Sequence, residues 1–100
     1  MTGFPKKEHK SKRVIVTVIG PDRVGIIAGV AQVLADNQIN ILDISQTILQ
    51  EFLVMVMVAD MEKSLIDLST LKEELSRKGE DLGVRIDALH EDAFHFMHRI

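Results

Sequence analysis

The sequence contains no cysteine, no tryptophan and no tyrosine, and it has only two prolines. Each absence closes a class of function. Without a thiol there is no disulfide, no thiolate metal site and no Cys-Xaa-Xaa-Cys metallochaperone motif. An RNA-recognition module needs aromatic platforms on its central strands. Here Phe4, Phe94 and Phe96, three of the four phenylalanines, fall outside every segment that reads as a strand. The long apolar run at 52–59 is well short of the ~20 residues that cross a bilayer. Basic residues open the chain with no apolar segment behind them, so no secretion signal is read and a cytoplasmic location is expected.

What is present suits one domain of 100 residues. Its core is thin: roughly two-thirds of the unfolded chain's surface can be buried, so a second subunit would add stability. The net charge of −3 is unevenly spread. Lys6, Lys7, Lys10, Lys12 and Arg13 face only Glu8 at the start, and the remainder is acidic. An acidic body does not attract phosphate backbones, so nucleic acid is not expected as a partner. Residues 1–12 lack apolar periodicity and read as a flexible basic arm.

From Arg13 to Ile19 β-branched residues dominate, which predicts a strand. Gly20, Pro21 and Asp22 end it with turn chemistry, and Asp22 reads as the N-cap of a helix over 24–37. Ile27, Val30, Ala31 and Leu34 give that helix its apolar stripe. Ala28, Gly29 and Ala35 are small, so it can approach its neighbours closely, and Gly29 implies a packing reason because it lowers helix propensity. Residues 39–49 alternate, with Leu42, Ile44 and Ile48 on one face and Asp43, Ser45 and Thr47 on the other; Gln46 is the inconsistency on the apolar face. A tight turn at Gln50 and Glu51 leads into a strand over 52–59. That strand is continuously apolar, which implies cover on both sides, from the C-terminal tail or a second subunit. Ser64 is expected to cap a helix over 65–78, striped by Leu68, Leu71 and Leu75 and ended by Gly79. Residues 84–89 alternate as a fourth strand, and 92–99 read as a short helix.

The order strand, helix, strand, strand, helix, strand predicts an α+β fold, the ferredoxin-like βαββαβ plait. It is a four-stranded antiparallel sheet with two helices on one face, extended by a short C-terminal helix. Within that order, Gly20-Pro21-Asp22-Arg23-Val24-Gly25 followed by a helix and then Ile39-Asn40-Ile41 resembles the first half of an ACT domain. The likeness is close over 14–45; beyond that, to Leu89, only the element order matches. The chain is similar to short stand-alone ACT proteins and to single halves of the glycine-cleavage repressor type, with 13–100 as the single ACT-like domain. The resemblance implies a homodimer that binds an amino acid or related metabolite at its interface. It implies ligand contacts at Asp22, Arg23, Val24, Gly25, Ile26, Asn40, Ile41 and Asp43, with Val24 where a proline is frequent in the family.

The chemistry of those residues fits a polar guest. A helix tip presents free N–H groups and partial positive charge to a carboxylate. Gly25 lets a ligand come close, Asn40 offers donor and acceptor, and Asp43 suits an amino group. Each has a plainer reading beside it. Asp22 can serve only as a cap, Gly25 only for packing, Arg23 and Asp43 as solvated charges, and Asn40 as a turn residue. Met55 and Met57 read as adaptable packing. His90, His95 and His98 lie near Glu91 and Asp92 and can bind zinc or nickel in principle, but a solvated helix surface is the plainer account. No metal set, cofactor or catalytic residue is therefore assigned. An acylphosphatase would need a phosphate cradle that Pro21 and Asp22 spoil. The expected function is a regulatory binding module and not an enzyme, with a structural or protein-binding dimer as the alternative.

Overall fold

Alternation along the first strand sets the architecture. In β1 (Arg13–Pro21), Val14, Val16 and Val18 are buried in the main core, while Ile15, Thr17 and Ile19 turn to the opposite face. The computed structural model describes residues 11–97. Helix α1 (Ile26–Asp36) follows, then β2 (Asn40–Leu49), β3 (Phe52–Asp60), α2 (Leu68–Leu82), β4 (Arg85–His90) and α3 (Glu91–Met97). The four strands form one antiparallel sheet in the order β2-β3-β1-β4. This is the βαββαβ plait with an added C-terminal helix. The basic arm read at 1–12 lies, as far as residue 10, outside the described residues.

The main core fills the space between the sheet and the two long helices. Ile26, Val30 and Leu34 of α1, and Leu71 and Leu75 of α2, meet Met55 and Met57 of β3 and Ile86 of β4. Gly29 has the packing role expected of it: a Cβ there would lie 3.0 Å from Leu82 Cδ1, so the missing side chain lets α1 and α2 approach. The apolar run of β3 divides by parity. Leu53, Met55, Met57 and Ala59 are buried beneath the helices, whereas Val54, Val56 and Val58 are half-buried on the other face. Among the described residues, cover reaches only part of that face, because α3 lies over β1 and β4 and not over β3. Ile15, only 5% exposed yet outside the helix-side core, belongs to the covered part.

The second helix departs from expectation at both ends. Ser64 does not cap it: its hydroxyl donates to Ile66 O at 2.7 Å and accepts from Ile66 N at 3.1 Å, closing a local turn. The helix starts after Asp67, whose carboxylate accepts from Thr70 N at 2.9 Å. Gly79 does not end it either. It lies inside the helix because β4 begins against it, with Val84 N donating to Gly79 O at 2.9 Å. The terminating residue is Gly83, with φ 75° in the left-handed region.

Helix α3 is anchored through its first residue. Glu91 accepts from Ser11 Oγ at 2.7 Å and from Arg13 Nε at 3.1 Å, and it forms an ion pair with Arg13 Nη2 at 2.8 Å. The Ser11 hydroxyl, followed by Arg13, holds the Glu91 carboxyl below the ordinary carboxylate range. His90 caps the same helix: its Nδ1 accepts from Asp92 N at 3.0 Å, and its Nε2 lies 2.9 Å from Ser11 O. An imidazole with its proton on Nε2 satisfies both contacts.

Two outcomes follow from this packing. Gly79→Ala would normally favour a helix, but here its Cβ would meet Val84 O at 2.6 Å. It should therefore cost about 1–3 kcal/mol, read as a lower midpoint in urea unfolding. The depressed Glu91 carboxyl is worth most when ionised, above the unfolded carboxylate range, and its contribution disappears as pH falls through its folded-state pKa. Glu91→Gln should thus be less stable than the parent at pH 7, with the two denaturation curves converging in acid.

Candidate functional site

The turn between β1 and α1 is built around a glycine. Gly25, not Asp22, is the N-cap of α1; it has φ 94° and ψ −6°, and no side chain caps the helix. The helix begins at Ile26, four residues beyond Asp22, so the aspartate cannot serve as its cap. Asp22 is tied elsewhere: its backbone N–H donates to Glu51 O at 2.8 Å, joining this turn to the β2–β3 hairpin. A Cβ on Gly25 would find no atom within 4 Å, so the space beside the helix tip is open. Val24 is fully exposed next to it. The first turn of α1 also holds no acidic side chain, so its N–H groups and partial positive charge face outward uncompensated.

The other residues of this turn have different placements. Ile26 is 1% exposed, so its side chain belongs to the core and only its backbone is at the tip. Arg23 lies against the α2–β4 turn: its Nη1 is 3.2 Å from the position a Gly83 Cβ would take. A guanidinium there faces the carbonyl end of α2, which favours positive charge.

Asn40, Ile41 and Asp43 start β2, at the far end of the sheet. Asn40 stands opposite Asp60, whereas Pro21, which leads into the Gly25 turn, stands opposite Phe52. The length of β3 separates the two groups, about 27 Å at ~3.3 Å per residue. Within one chain the expected site is therefore split. A bulge between Ile41 and Asp43 resets the register, so Ile41 shares the helix side with Ala59 while Asp43 lies opposite Val58 on the other face. Leu42 is the residue the bulge leaves without a partner on β3, so it does not continue the stripe of Ile44 and Ile48. Asp43 accepts from Ile44 N at 2.9 Å through Oδ1 and is otherwise exposed.

A cavity of about 520 Å³ opens at this end of β2, lined by Gln38, Ile39, Asn40, Asp60, Glu62 and Lys63 together with Ala35. Asp60 and Glu62 were not expected here. The only sequence signal for them is a pair of acids closing a long apolar run. Asp60 accepts from Glu62 N at 2.9 Å, which gathers both acids at the cavity wall. Among the described residues no group of three or more His, Asp or Glu could hold a metal ion. His95 lies 3.6 Å from Glu91, His90 caps α3, and His98 lies outside the described residues.

One further feature borders both ends. Strand β2 is an edge strand exposed along nearly its whole length, and its only charged residue is Asp43. Edges are ordinarily protected by lysine, proline or covering loops. The opposite edge, β4, carries Arg85 and Asp87, ion-paired at 2.9 Å. On the helix side of β2, Ile44 and Ile48 are 42% and 52% exposed.

An antiparallel βαββαβ plait of this strand order, with a glycine-capped first helix, has the architecture of an ACT domain. The ACT domain family profile matches residues 12–88, and the chain belongs to the ACT domain family. ACT domains are generally regulatory ligand-binding modules. A UPF0237 protein of Methanocaldococcus jannaschii is 53% identical over 88 residues, 88% of this chain and 98% of the relative. The solved ACT domain protein of Streptococcus pneumoniae superposes with a TM-score of 0.74 at 32% identity, covering 91% of this chain and 99% of that one. The regulatory subunit of aspartate kinase from Thermus thermophilus shares the fold, with a TM-score of 0.62 at 22% identity over 80% of this chain and 52% of its own. No helix among the described residues is long and apolar enough to cross a membrane.

Proposed function

We propose that the chain is a non-enzymatic, cytoplasmic regulatory module that pairs with a second copy through β2 and holds an amino acid or similar small metabolite between the two. The observation that carries this reading is the open helix tip at Gly25, where no side chain supplies a cap and a Cβ would meet nothing. Four free N–H groups at such a tip favour a carboxylate.

Pairing through β2 accounts for the split site. A two-fold axis through an edge strand sets the two copies antiparallel, so the start of one β2 lies beside the end of the other. The hairpin turn at Gln50 and Glu51, which holds Asp22 by a 2.8 Å hydrogen bond, then faces the beginning of the partner's β2. Each Gly25 tip gains the partner's Asn40, with Ile41 and Asp43 of the partner subunit close behind. The acids lining the cavity beside Asn40 supply counter-charge for an ammonium group. A ligand with carboxylate and amino ends matches the helix tip on one side and the amide and carboxylates on the other. Arg23, which lies against the α2–β4 turn, acts by holding the Gly25 turn in place rather than by touching the guest. Two such sites form per pair.

Binding would favour the paired state by no more than its differential affinity for the two states, and a partner protein reading that state would receive the signal. The alternative is a structural or protein-binding dimer with no ligand, supported by the exposed apolar margin of β2 alone.

A thermal-shift screen with the twenty amino acids, purines and related small acids separates the two. A ligand at ~100 times its Kd adds about 2.7 kcal/mol, which raises the midpoint by several degrees. Gly25→Val should remove that response while the chain still folds, at a cost of about 1–3 kcal/mol for a side chain at positive φ. A flat response to every compound, identical in parent and variant, leaves only the structural dimer.

A further inference from the structure

We infer that the two copies pair in one specific register, centred on Gln46, in which this side chain meets its own symmetry mate and Ile44 lies opposite the partner's Ile48. The inference rests on the pairing proposed above and fixes its geometry.

Gln46 is the residue that breaks the apolar pattern of β2. It stands opposite Met55 and shares the helix side of the sheet with Ile44, opposite Met57, and Ile48, opposite Leu53. Among the described residues no polar contact of Gln46 accounts for an amide between two isoleucines, and it is exposed. The edge itself is uncharged from Ile44 to Leu49. Such an edge presents a row of unpaired N–H and C=O groups that another strand can complete.

Two antiparallel copies can be aligned in several ways, and the side chains select among them. Like faces must match, because a one-residue slip sends every side chain to the wrong side. With Gln46 on the two-fold axis, Ile44 and Ile48 form two symmetry-related apolar pairs on the helix side, and Ser45 lies opposite the partner's Thr47 on the other. The central amides, each with a donor and an acceptor, can hydrogen-bond to one another. With Ser45 on the axis instead, Ile44 faces the partner's Gln46, and Ile48 faces Leu42, the residue displaced by the bulge. That arrangement buries an amide against an isoleucine twice over and loses both isoleucine pairs. A single polar residue in an otherwise apolar seam is an established way of fixing register, at some cost in stability.

The Gln46 register also has a workable size. An overlap from Leu42 to Gln50 is about 30 Å long, and a sheet with its helix layer is roughly 20 Å deep. The two copies together would bury about 1,200 Å², at the lower end of what a stable specific pair needs. The second copy is favoured over a foreign strand because this surface complements itself about a two-fold axis.

The chain has no cysteine, so one substitution introduces the only thiol. Gln46→Cys and Ser45→Cys are compared under diamide, which takes up two electrons and two protons as two thiols join. Directly opposed Cβ atoms lie ~5 Å apart and bridge readily, whereas diagonal neighbours at ~7–8 Å do not. Gln46→Cys should form a covalent dimer at least about tenfold faster than Ser45→Cys. Faster cross-linking of Ser45→Cys overturns the register and leaves the pair standing. Slow cross-linking of both, in a parent chain that light scattering shows to be a dimer, overturns the Gln46 register; if Thr47→Cys is then slow as well, edge pairing falls and the interface lies elsewhere. A parent chain of monomeric mass at high concentration overturns the inference together with the pairing beneath it.

Discussion

The backbone at Gly25 constrains everything built above it. Its φ of 94° turns the chain from β1 into α1 without recourse to a capping side chain. A helix started this way keeps its first N–H groups free. An aspartate cap would neutralise the same tip and fill the space beside it. The turn is braced on two sides, by the Asp22 bond to Glu51 and by the packing of Arg23 on Gly83. The glycine thus supplies the shape while its neighbours supply the rigidity. A site for a small polar guest needs both, since a mobile tip would have to be ordered on each binding event.

The edge strand and the helix tip are two consequences of one topology. In the order β2-β3-β1-β4, helix α1 leaves the top of the central strand and returns to the bottom of the edge strand. The tip of α1 and the start of β2 are therefore at opposite ends in every single copy. Only an antiparallel neighbour brings them together, and β2 is the edge without protection. A thin core gives a further reason to pair. The described chain leaves Ile44 and Ile48 half in solvent on the side where its helices sit, and the proposed second copy would remove them from water at no cost to its own fold.

Much of this was legible in the residues. The β-branched run of β1, the alternation of β4 and the stripe of α1 are strong periodic signals, and they gave the correct element order. The likeness of the segment from Gly20 to Asn40 to an ACT domain identified the family. The misreadings came where two residues of similar local propensity competed. Asp22 is the better cap by preference, yet the chain turns at Gly25 because Asp22 is held by the hairpin. Gly79 and Gly83 both look like helix ends. Only the contact with Val84 shows that the first is glycine to admit a neighbouring strand and the second because its φ is positive. Nor could the sequence show that Asn40 and Gly25 lie a sheet's length apart, or that Asp60 and Glu62 share a cavity with Asn40, because both depend on strand pairing.

The combination has an energetic consequence for regulation. If each ligand site is completed by residues of two chains, binding and pairing are linked quantities, and each promotes the other by the same factor. A very stable pair would be fully formed without ligand and would have little assembly left to report. The proposed seam, about 1,200 Å² with two isoleucine pairs and one polar contact at its centre, would be modest by the standard of obligate dimers. The glutamine in that seam lowers its stability relative to an apolar residue and raises its selectivity for one register. In the proposed register each helix tip would face the partner's Asn40, and a slipped pair would move both sites at once. In the proposed pair, selectivity at Gln46 and ligand recognition at Gly25 would then be one requirement, because both depend on the alignment of the same edge.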